Sequence, residues 1–196
     1  ILTGKSMNVR GQFTLNNVEF MNCPDFSESH FMRGVTMRDM KLTKGINFHS
    51  SVFGENSEMT FNTDNSEMIL DYSYTSFQSS SGNIIIHVKD ESSKKMKIDL
   101  RGLSTNSCIH FEGFIFDETQ KRPFKRVLYR LFGHDENVFR NLCYCNDSWR
   151  SLEAQWTALE EIYRIRGNLV MQKDAYIWKR FCERRALSYT DPQELL

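Results

Sequence analysis

Residues 13–34 read FTLNNVEFMNCPDFSESHFMRG, and residues 35–56 continue without a gap as VTMRDMKLTKGINFHSSVFGEN. When the two stretches are superposed, their large apolar residues coincide at four positions: Leu15 with Met37, Phe20 with Leu42, Phe26 with Phe48, and Phe31 with Phe53. A fixed period of this size is typical of proteins that stack one structural repeat on the next. The repeat of 22 residues therefore predicts a stacked architecture for this part of the chain.

Within each unit the large apolar residues follow one another at alternating steps of five and six. An amphipathic helix would space them three and four apart. Each apolar pair is instead expected to form a very short strand, after which the chain turns, so that four sides complete one coil. Neighbouring strands lie about 4.8 Å apart, so equivalent side chains of successive coils should touch in ladders. Burying one Phe or Leu there contributes about 1.5–3 kcal/mol.

Four tripeptides carry a family resemblance: Val18-Glu19-Phe20, Ser29-His30-Phe31, Val35-Thr36-Met37 and Ser51-Val52-Phe53. In this pattern the chain resembles the pentapeptide-repeat proteins. In each five-residue repeat of that family the central residue is Leu or Phe, and the residue two positions before it is small. The resemblance implies a right-handed parallel β-helix with four sides. The Ala-Asp/Asn-Leu core of that family is absent here, and every second apolar residue follows after six positions instead of five. A different β-solenoid with a looser cross-section therefore remains an alternative.

The repeat is expected to extend beyond these two units. Met7-Asn8-Val9 precedes Ser29-His30-Phe31 by 22 residues, so the solenoid should begin near the N-terminus. A third unit runs through Met59 and Leu70, but its other inward positions are Asp64 and Thr75, which predicts that the register fails there. The Ser- and Tyr-rich run 71–83 predicts a loop or insertion. Strands are expected at 84–88 and 96–100, and the solenoid is placed at residues 1–118.

Residues 119–196 are expected to be helical. Pro123 suits a first helical turn that leads a helix to Gly133, and a short helix is placed at 136–144. Asp147 and Ser148 can cap a helix whose apolar stripe consists of Trp149, Leu152, Trp156, Leu159 and Tyr163. Gly167 and Asn168 should end it in a left-handed turn, a second helix follows over 169–187, and Thr190 to Pro192 end that one. The two form an αα-hairpin.

This hairpin carries a second resemblance, in Tyr163-x-x-x-Gly167-Asn168, Lys173-Asp174-Ala175 and Trp178-x-x-Phe181-Cys182-Glu183-Arg184. It is similar to the helical segment that often follows pentapeptide repeats in bacterial proteins, some of which continue into a channel-like transmembrane segment. The chain of 196 residues has no formal net charge, no apolar run as long as a membrane span and no visible signal peptide. Its five cysteines form no regular framework, which favours free thiols in a cytoplasmic setting. Membrane association is expected only through segments outside this chain.

The strongest metal candidate is Cys143-Tyr144-Cys145 with His134 and Cys182. Structural zinc sites separate paired cysteines by two to four residues and need a second pair, so we predict no metal and no cofactor. Cys23, beside Pro24, is expected to serve packing.

A second set of candidates is His110, Glu112 and Asp117, which could supply general acid–base chemistry on a solenoid face. Polar residues that alternate with inward apolar ones are more typical of a solvated face. We therefore predict no catalytic residues and no small-molecule substrate.

A basic stretch is formed by Lys179, Arg180, Arg184 and Arg185, interleaved with Trp178 and Phe181. It invites a nucleic-acid or anionic-membrane interpretation. However, cations near the end of a helix complement its dipole, and the aromatic residues should face the partner helix. The sequence therefore predicts that this chain does not bind nucleic acid.

The leading functional expectation is a non-catalytic protein-interaction or scaffold module that binds a protein partner or itself, because solenoids offer extended surfaces and open strand edges. One alternative is a soluble domain of a bacterial membrane or channel-like protein. The other is a carbohydrate-active β-helix enzyme, for which a groove with convergent carboxylates would be required.

Overall fold

The computed structural model describes residues 4–62, 68–79, 83–88, 96–114, 116, 142–143 and 149–188. The helices expected over 123–133 and 136–144 lie outside these residues, apart from residues 142 and 143. So do several side chains that the sequence singled out: Asp64, Asp117, His134, Cys145, Asp147, Ser148, Thr190 and Pro192.

The first part of the chain is a parallel β-solenoid of about 4 turns, with about 24 residues per turn. Its strands are β1 (Asn8–Val9), β2 (Phe13–Asn16), β3 (Glu19–Phe20), β4 (His30–Phe31), β5 (Val35–Leu42), β6 (Gly45–Asn47), β7 (Val52–Phe53), β8 (Ser57–Asn62), β9 (Ile69–Asp71), β10 (Ser76–Phe77), β11 (Asn83–Val88), β12 (Lys97–Asp99), β13 (Ser104–Thr105) and β14 (Cys108–Glu112). They form three parallel sheets in the orders β1-β4-β7-β10-β13, β2-β5-β8-β11-β14 and β6-β9-β12, with β3 also paired to β5.

The predicted register of the first two coils is confirmed. Leu15 lies beside Met37, Phe20 beside Leu42, and β1 pairs with β4 as the 22-residue spacing requires. Equivalent aromatic rings stack inside the coils: the centroids of Phe31 and Phe53 are 5.1 Å apart. The rings of Phe26 and Phe48 stack with their centroids 5.6 Å apart. The internal ladders therefore exist as the repeat indicates.

The third coil differs from the predicted register because it is longer. Phe53 pairs with Phe77, so the period grows to 24 residues, and Leu70 lies beside Ile46 where Phe48 was expected. The 22-residue register therefore fails in this coil as predicted, although Thr75 is fully buried and keeps an inward position. The loop or insertion expected over 71–83 is wrong for its first part, which holds β10 and the buried Tyr72, whose ring stacks on Phe48 at 5.2 Å. The spacing of paired residues then grows from 24 at Phe77 to 27 at Ile84, so an insertion does occur later in this run.

One corner of the early coils disappears as the stack grows. Asn17 and Asp39 hold positive φ angles of 52° and 53°, and each bends its coil between two sides. In β8 the pairing passes from Met59 beside Met37 to Phe61 beside Met40, so one residue fewer is present. The third coil consequently crosses from Ser57 to Asn62 without that bend.

A second corner recurs in every coil. Positive φ angles between 56° and 64° mark it at Ser6, Glu28, Ser50, Tyr74 and Gly102. Three residues before all but the first of these lies an Asp or Asn whose side-chain oxygen accepts the N–H two residues further on, at 2.9–3.1 Å: Asp25, Asn47, Asp71 and Asp99. Such Asx turns fix the bend locally, so the corner survives when the coil length changes.

The described helices are α1 (Trp149–Ile165) and α2 (Leu169–Ser188), which confirms the predicted hairpin. The backbone N–H of Asn168 donates to the carbonyl of Tyr163 at 3.0 Å, and Gly167 adopts a φ of 68°, as a Schellman motif requires. Asn168 also caps α2, since its Oδ1 accepts the N–H of Met171 at 3.1 Å. Neither of these described helices combines the length and apolarity that a membrane crossing needs.

Candidate functional site

The first coil leaves one end of the stack uncovered among the described residues. Its inward-pointing side chains are only half-buried; we call this set the N-terminal face, formed by Met7, Val9, Phe13, Leu15, Val18 and Phe20. One coil further, the equivalents of these residues are 0–1% exposed: Ser29, Phe31, Val35, Met37, Met40 and Leu42. The same columns of side chains are thus fully buried wherever a coil lies on both sides of them.

Backbone groups at the N-terminal face point away from the second coil. Phe13 and Asn17 donate their N–H groups to that coil, at 3.2 and 2.9 Å. Peptide groups of successive residues in a strand alternate between the two sides, so Thr14 in β2 directs its N–H and C=O to the open side. The same alternation applies to Asn8 in β1 and Glu19 in β3. The face therefore combines apolar side chains with three strand edges.

The other end of the stack is covered. Leu142 forms a parallel bridge with Ile98, and the Cys143 N–H donates to the Ile98 carbonyl at 3.0 Å, which extends the sheet of β12 by one step. Helix α1 contacts β13 and β14, the last strands of the other two sheets. Its buried residues include Leu152 and Leu159, both 0% exposed. We call α1 together with residues 142–143 the cap.

The cap is also held by a polar contact. Gln155 of α1 is completely buried and donates from Nε2 to the carbonyl of Cys143. Its Oε1 and the Oγ of Ser151, one turn earlier, accept no hydrogen bond from the described residues. This polar pair sits at the junction between the helix and the end of the stack.

A groove of about 820 Å³ lies between the edge strand β13 and the hairpin. One wall is formed by Ser76, Phe77 and residues 102–106, and the other by α1 and α2 residues that include Glu160, Glu161 and Lys179. Glu160 is ion-paired with Lys179 at 2.9 Å, and Glu161 accepts a hydrogen bond from Arg164 at 2.7 Å. This contact with Arg164 lowers the pKa of Glu161. Each carboxylate already has a cationic partner, so the two do not converge as a free acid–base pair.

The acid–base candidates His110 and Glu112 lie at alternate positions of β14, on the outer side of the sheet. Glu112 Oε2 is 3.4 Å from Nδ1 of His87 on the neighbouring strand β11. His110 Nε2 lies 3.3 Å from the Sγ of Cys108, a residue that sequence reasoning missed. The signal was present, because two residues at i and i+2 of a strand share a face. The third candidate, Asp117, lies outside the described residues.

Of the cysteines considered for a metal site, the structure describes Cys143 and Cys182. Cys182 is fully buried inside the hairpin, where desolvation raises its thiol pKa, and Cys143 is buried at the cap. Among the described residues no group of three or more His, Cys, Asp or Glu could hold a metal ion. Cys23, expected to pack inside, is exposed instead. Burial of part of its side chain, then Asp25 and Asp71, raise its pKa.

The basic stretch of α2 is divided among different contacts. Trp178 is buried and stacks on Trp156 of α1, so the aromatic residues face the partner helix as the hairpin predicts. Lys179 is the cation that pairs with Glu160, and Arg180 forms an ion pair with Glu183. The guanidinium of Arg185 lies over the ring of Phe181 at 5.4 Å. Three of the four cations in this stretch are thus engaged by a neighbouring carboxylate or aromatic ring.

No family model matches this chain, and comparisons with curated proteins and with solved structures found no similar protein.

Proposed function

We propose that this protein is a non-catalytic protein-interaction module whose binding surface is the N-terminal face. The observation that carries the proposal is the contrast between the half-buried side chains of coil one and their completely buried equivalents one coil further. A cluster of partly exposed apolar residues beside strand edges is typical of a surface that binds another protein. A partner that supplies one more layer of strands would bury these residues and hydrogen-bond the outward peptide groups.

The partner that we propose is a second copy of this chain, stacked end to end on the first. Two identical faces can meet through a two-fold axis, and such an interface is closed, because each copy uses the same surface. The cap covers the opposite end of each solenoid. Growth would consequently stop at a dimer and would not continue into a filament.

The finer features of this proposal come from the sequence. We assign the solenoid to the pentapeptide-repeat type found in bacteria, with support from the 22-residue period and the aromatic interior of the first two coils. The free thiols of the described cysteines are compatible with a reducing, cytoplasmic compartment. An attachment to a membrane or channel-like protein would then depend on segments outside this chain.

Binding is preferred to carbohydrate cleavage because of the charges in the groove. A glycosidase needs two carboxyl groups with separate acid and base roles. Glu160 and Glu161 are instead held by Lys179 and Arg164. The groove is therefore assigned no reaction in this proposal.

The test is sedimentation velocity over a concentration series of the chain and two variants at Thr14. Thr14→Pro removes an N–H at the open edge of β2, where proline is tolerated, whereas Thr14→Val keeps the N–H and suits a strand. We expect dimers for the unmodified chain and for Thr14→Val, and monomers for Thr14→Pro. A chain that stays monomeric at its highest soluble concentration, or a dimeric Thr14→Pro, contradicts the proposal.

A further inference from the structure

The outer face of β14 carries a thiol and an imidazole in direct contact. Cys108 Sγ lies 3.3 Å from Nε2 of His110, a hydrogen-bonding distance for sulfur. Both side chains are half-buried, so the thiol is reachable from solvent while part of its surroundings is dry. Beneath His110, in the neighbouring strand, lies Ile85. A cysteine and a base within hydrogen-bond reach are the geometry by which proteins activate a thiol.

From this geometry we infer that Cys108 is a nucleophilic modification site for small thiol-reactive electrophiles, with His110 as the base that accepts its proton. The proton passes from Sγ to Nε2, and the resulting thiolate attacks the electrophilic carbon. With iodoacetamide the S–C bond forms as the C–I bond breaks, iodide leaves, and the imidazolium returns its proton to solvent. The step needs no oxidant or metal.

The charged groups near Cys108 and His110 come from the sheet that contains β14 and from helix α1. Among the described residues of the sheet's outer face, Glu112 and His87 lie nearest and pair with each other at 3.4 Å. Glu58 lies one strand further away, beside Ile85, and is ion-paired with Arg38. Helix α1, which contacts β14, carries Arg150, Glu153, Glu160, Glu161, Arg164 and no histidine. His110 is therefore distinguished from His87 by its contact with the thiol, and His87 offers a matched control.

Cys23 provides a reference inside the same molecule. Cys23 as a residue is exposed, whereas Cys108 is half-buried, so accessibility alone would make Cys23 the faster of the two. The neighbouring carboxylates of Asp25 and Asp71, together with partial burial, raise the pKa of Cys23 and slow it. Activation of Cys108 must for this reason be judged against a free thiol, N-acetylcysteine amide, as well as against Cys23.

The experiment measures the rate of iodoacetamide alkylation at each cysteine by mass spectrometry, from mildly acidic to mildly alkaline pH. We expect Cys108 to react about tenfold faster than N-acetylcysteine amide below neutral pH, with a shallow pH dependence. His110→Gln should lower that rate about tenfold, and His87→Gln should leave it unchanged. Equal rates for Cys108 and the free thiol across the pH range, or no effect of His110→Gln in a folded protein, overturn the inference. Alkylation of the buried Cys143 and Cys182 in His110→Gln would show that this variant does not fold. In that case the pH dependence of Cys108 alkylation in the unmodified protein is the test of the inference.

Discussion

Three buried hydroxyl groups join successive coils along one corner of the solenoid. Ser29, Ser51 and Thr75 are each 0% exposed and occupy the same position in consecutive coils. Each hydroxyl donates to a carbonyl one coil below, at 2.7–2.8 Å: Ser29 to Gly4, Ser51 to Phe26, and Thr75 to Phe48. Buried polar groups are costly unless hydrogen-bonded, so small hydroxyl residues satisfy the backbone where the chain turns inside the stack.

Ser51→Ala should therefore destabilise the protein although it removes one atom. The Phe26 carbonyl would lose its donor, and the Ser29 N–H, which lies 3.2 Å from Ser51 Oγ, would lose its acceptor. Leaving such groups unpaired lowers the free energy of unfolding by about 1–3 kcal/mol, which urea denaturation can measure. The matched control is Ser104→Ala at an exposed position, expected to change stability by less than about 0.5 kcal/mol. Equal stabilities of the two variants would show that this ladder does not stabilise the coils.

At the scale of elements, the sequence predicts the early coils and the helical hairpin well, because both depend on local spacing. The 22-residue period places Leu15 and Phe20 beside their true partners, and Gly167 ends α1 as predicted. It fails in the third coil, where two added residues shift Phe53 onto Phe77. A constant period indicates that the register fails there but cannot locate the added residues, so it assigns Phe48 as the partner of Leu70 where the true partner is Ile46.

A shorter signal would have found the later coils. The pattern Asp/Asn, aromatic, two residues, Ser/Thr, one residue, Phe occurs as DFSESHF from residue 25, NFHSSVF from residue 47 and DYSYTSF from residue 71. Each copy contains an Asx turn, a stacked ring and a buried hydroxyl. In the last copy the many Ser and Tyr residues favour a loop when only composition is considered. Their positions in the pattern indicate another corner of the solenoid instead. The contact of Cys108 with His110 follows in the same way from strand alternation, once β14 is placed.

Within helix α1, Tyr163 makes the stability of the hairpin sensitive to alkaline pH. Its side chain is 5% exposed, and burial raises its pKa to about 12 from an ordinary value near 10. Between these values the folded state keeps a proton that the unfolded state has lost. The stabilisation is thus complete below about pH 10 and is lost as the pH rises through about 12, by about 3 kcal/mol in all.

Tyr163→Phe should remove this part of the alkaline destabilisation. Urea denaturation at a series of pH values would show a shallower fall of the unfolding free energy above about pH 10 in the variant. Tyr72 is also buried, with a raised pKa, and contributes in the same direction in both proteins. Tyr176→Phe, at an exposed position of α2, is the control and should follow the unmodified chain. Parallel curves for Tyr163→Phe and Tyr176→Phe would contradict the assignment.

At the scale of the whole molecule, the two ends of the solenoid differ in what covers them. The C-terminal end is closed by α1 and by the Leu142 bridge, and the peptide groups of Ser104 and Asn106 point back to the preceding coil. Alternation therefore turns the peptide group of Thr105 toward α1. At the N-terminal face, Thr14 points outward with no such cover among the described residues. A strand edge that is not covered favours pairing with another chain, so the number of open ends should set the size of the assembly.

Removing the helical hairpin tests this relation. A chain truncated after residue 143 would expose β13 and β14, which α1 covers, in addition to the N-terminal face. We expect it to form assemblies larger than a dimer, since each added copy leaves a new edge. Adding Thr14→Pro to the truncated chain closes one end again and should return it to a dimer, whereas Thr14→Pro in the full chain gives a monomer. Sedimentation velocity distinguishes these sizes, and circular dichroism checks that each chain keeps its β-structure. A truncated chain that remains folded and forms only dimers would show that α1 does not act as a cap, because its loss would then leave no further edge that associates.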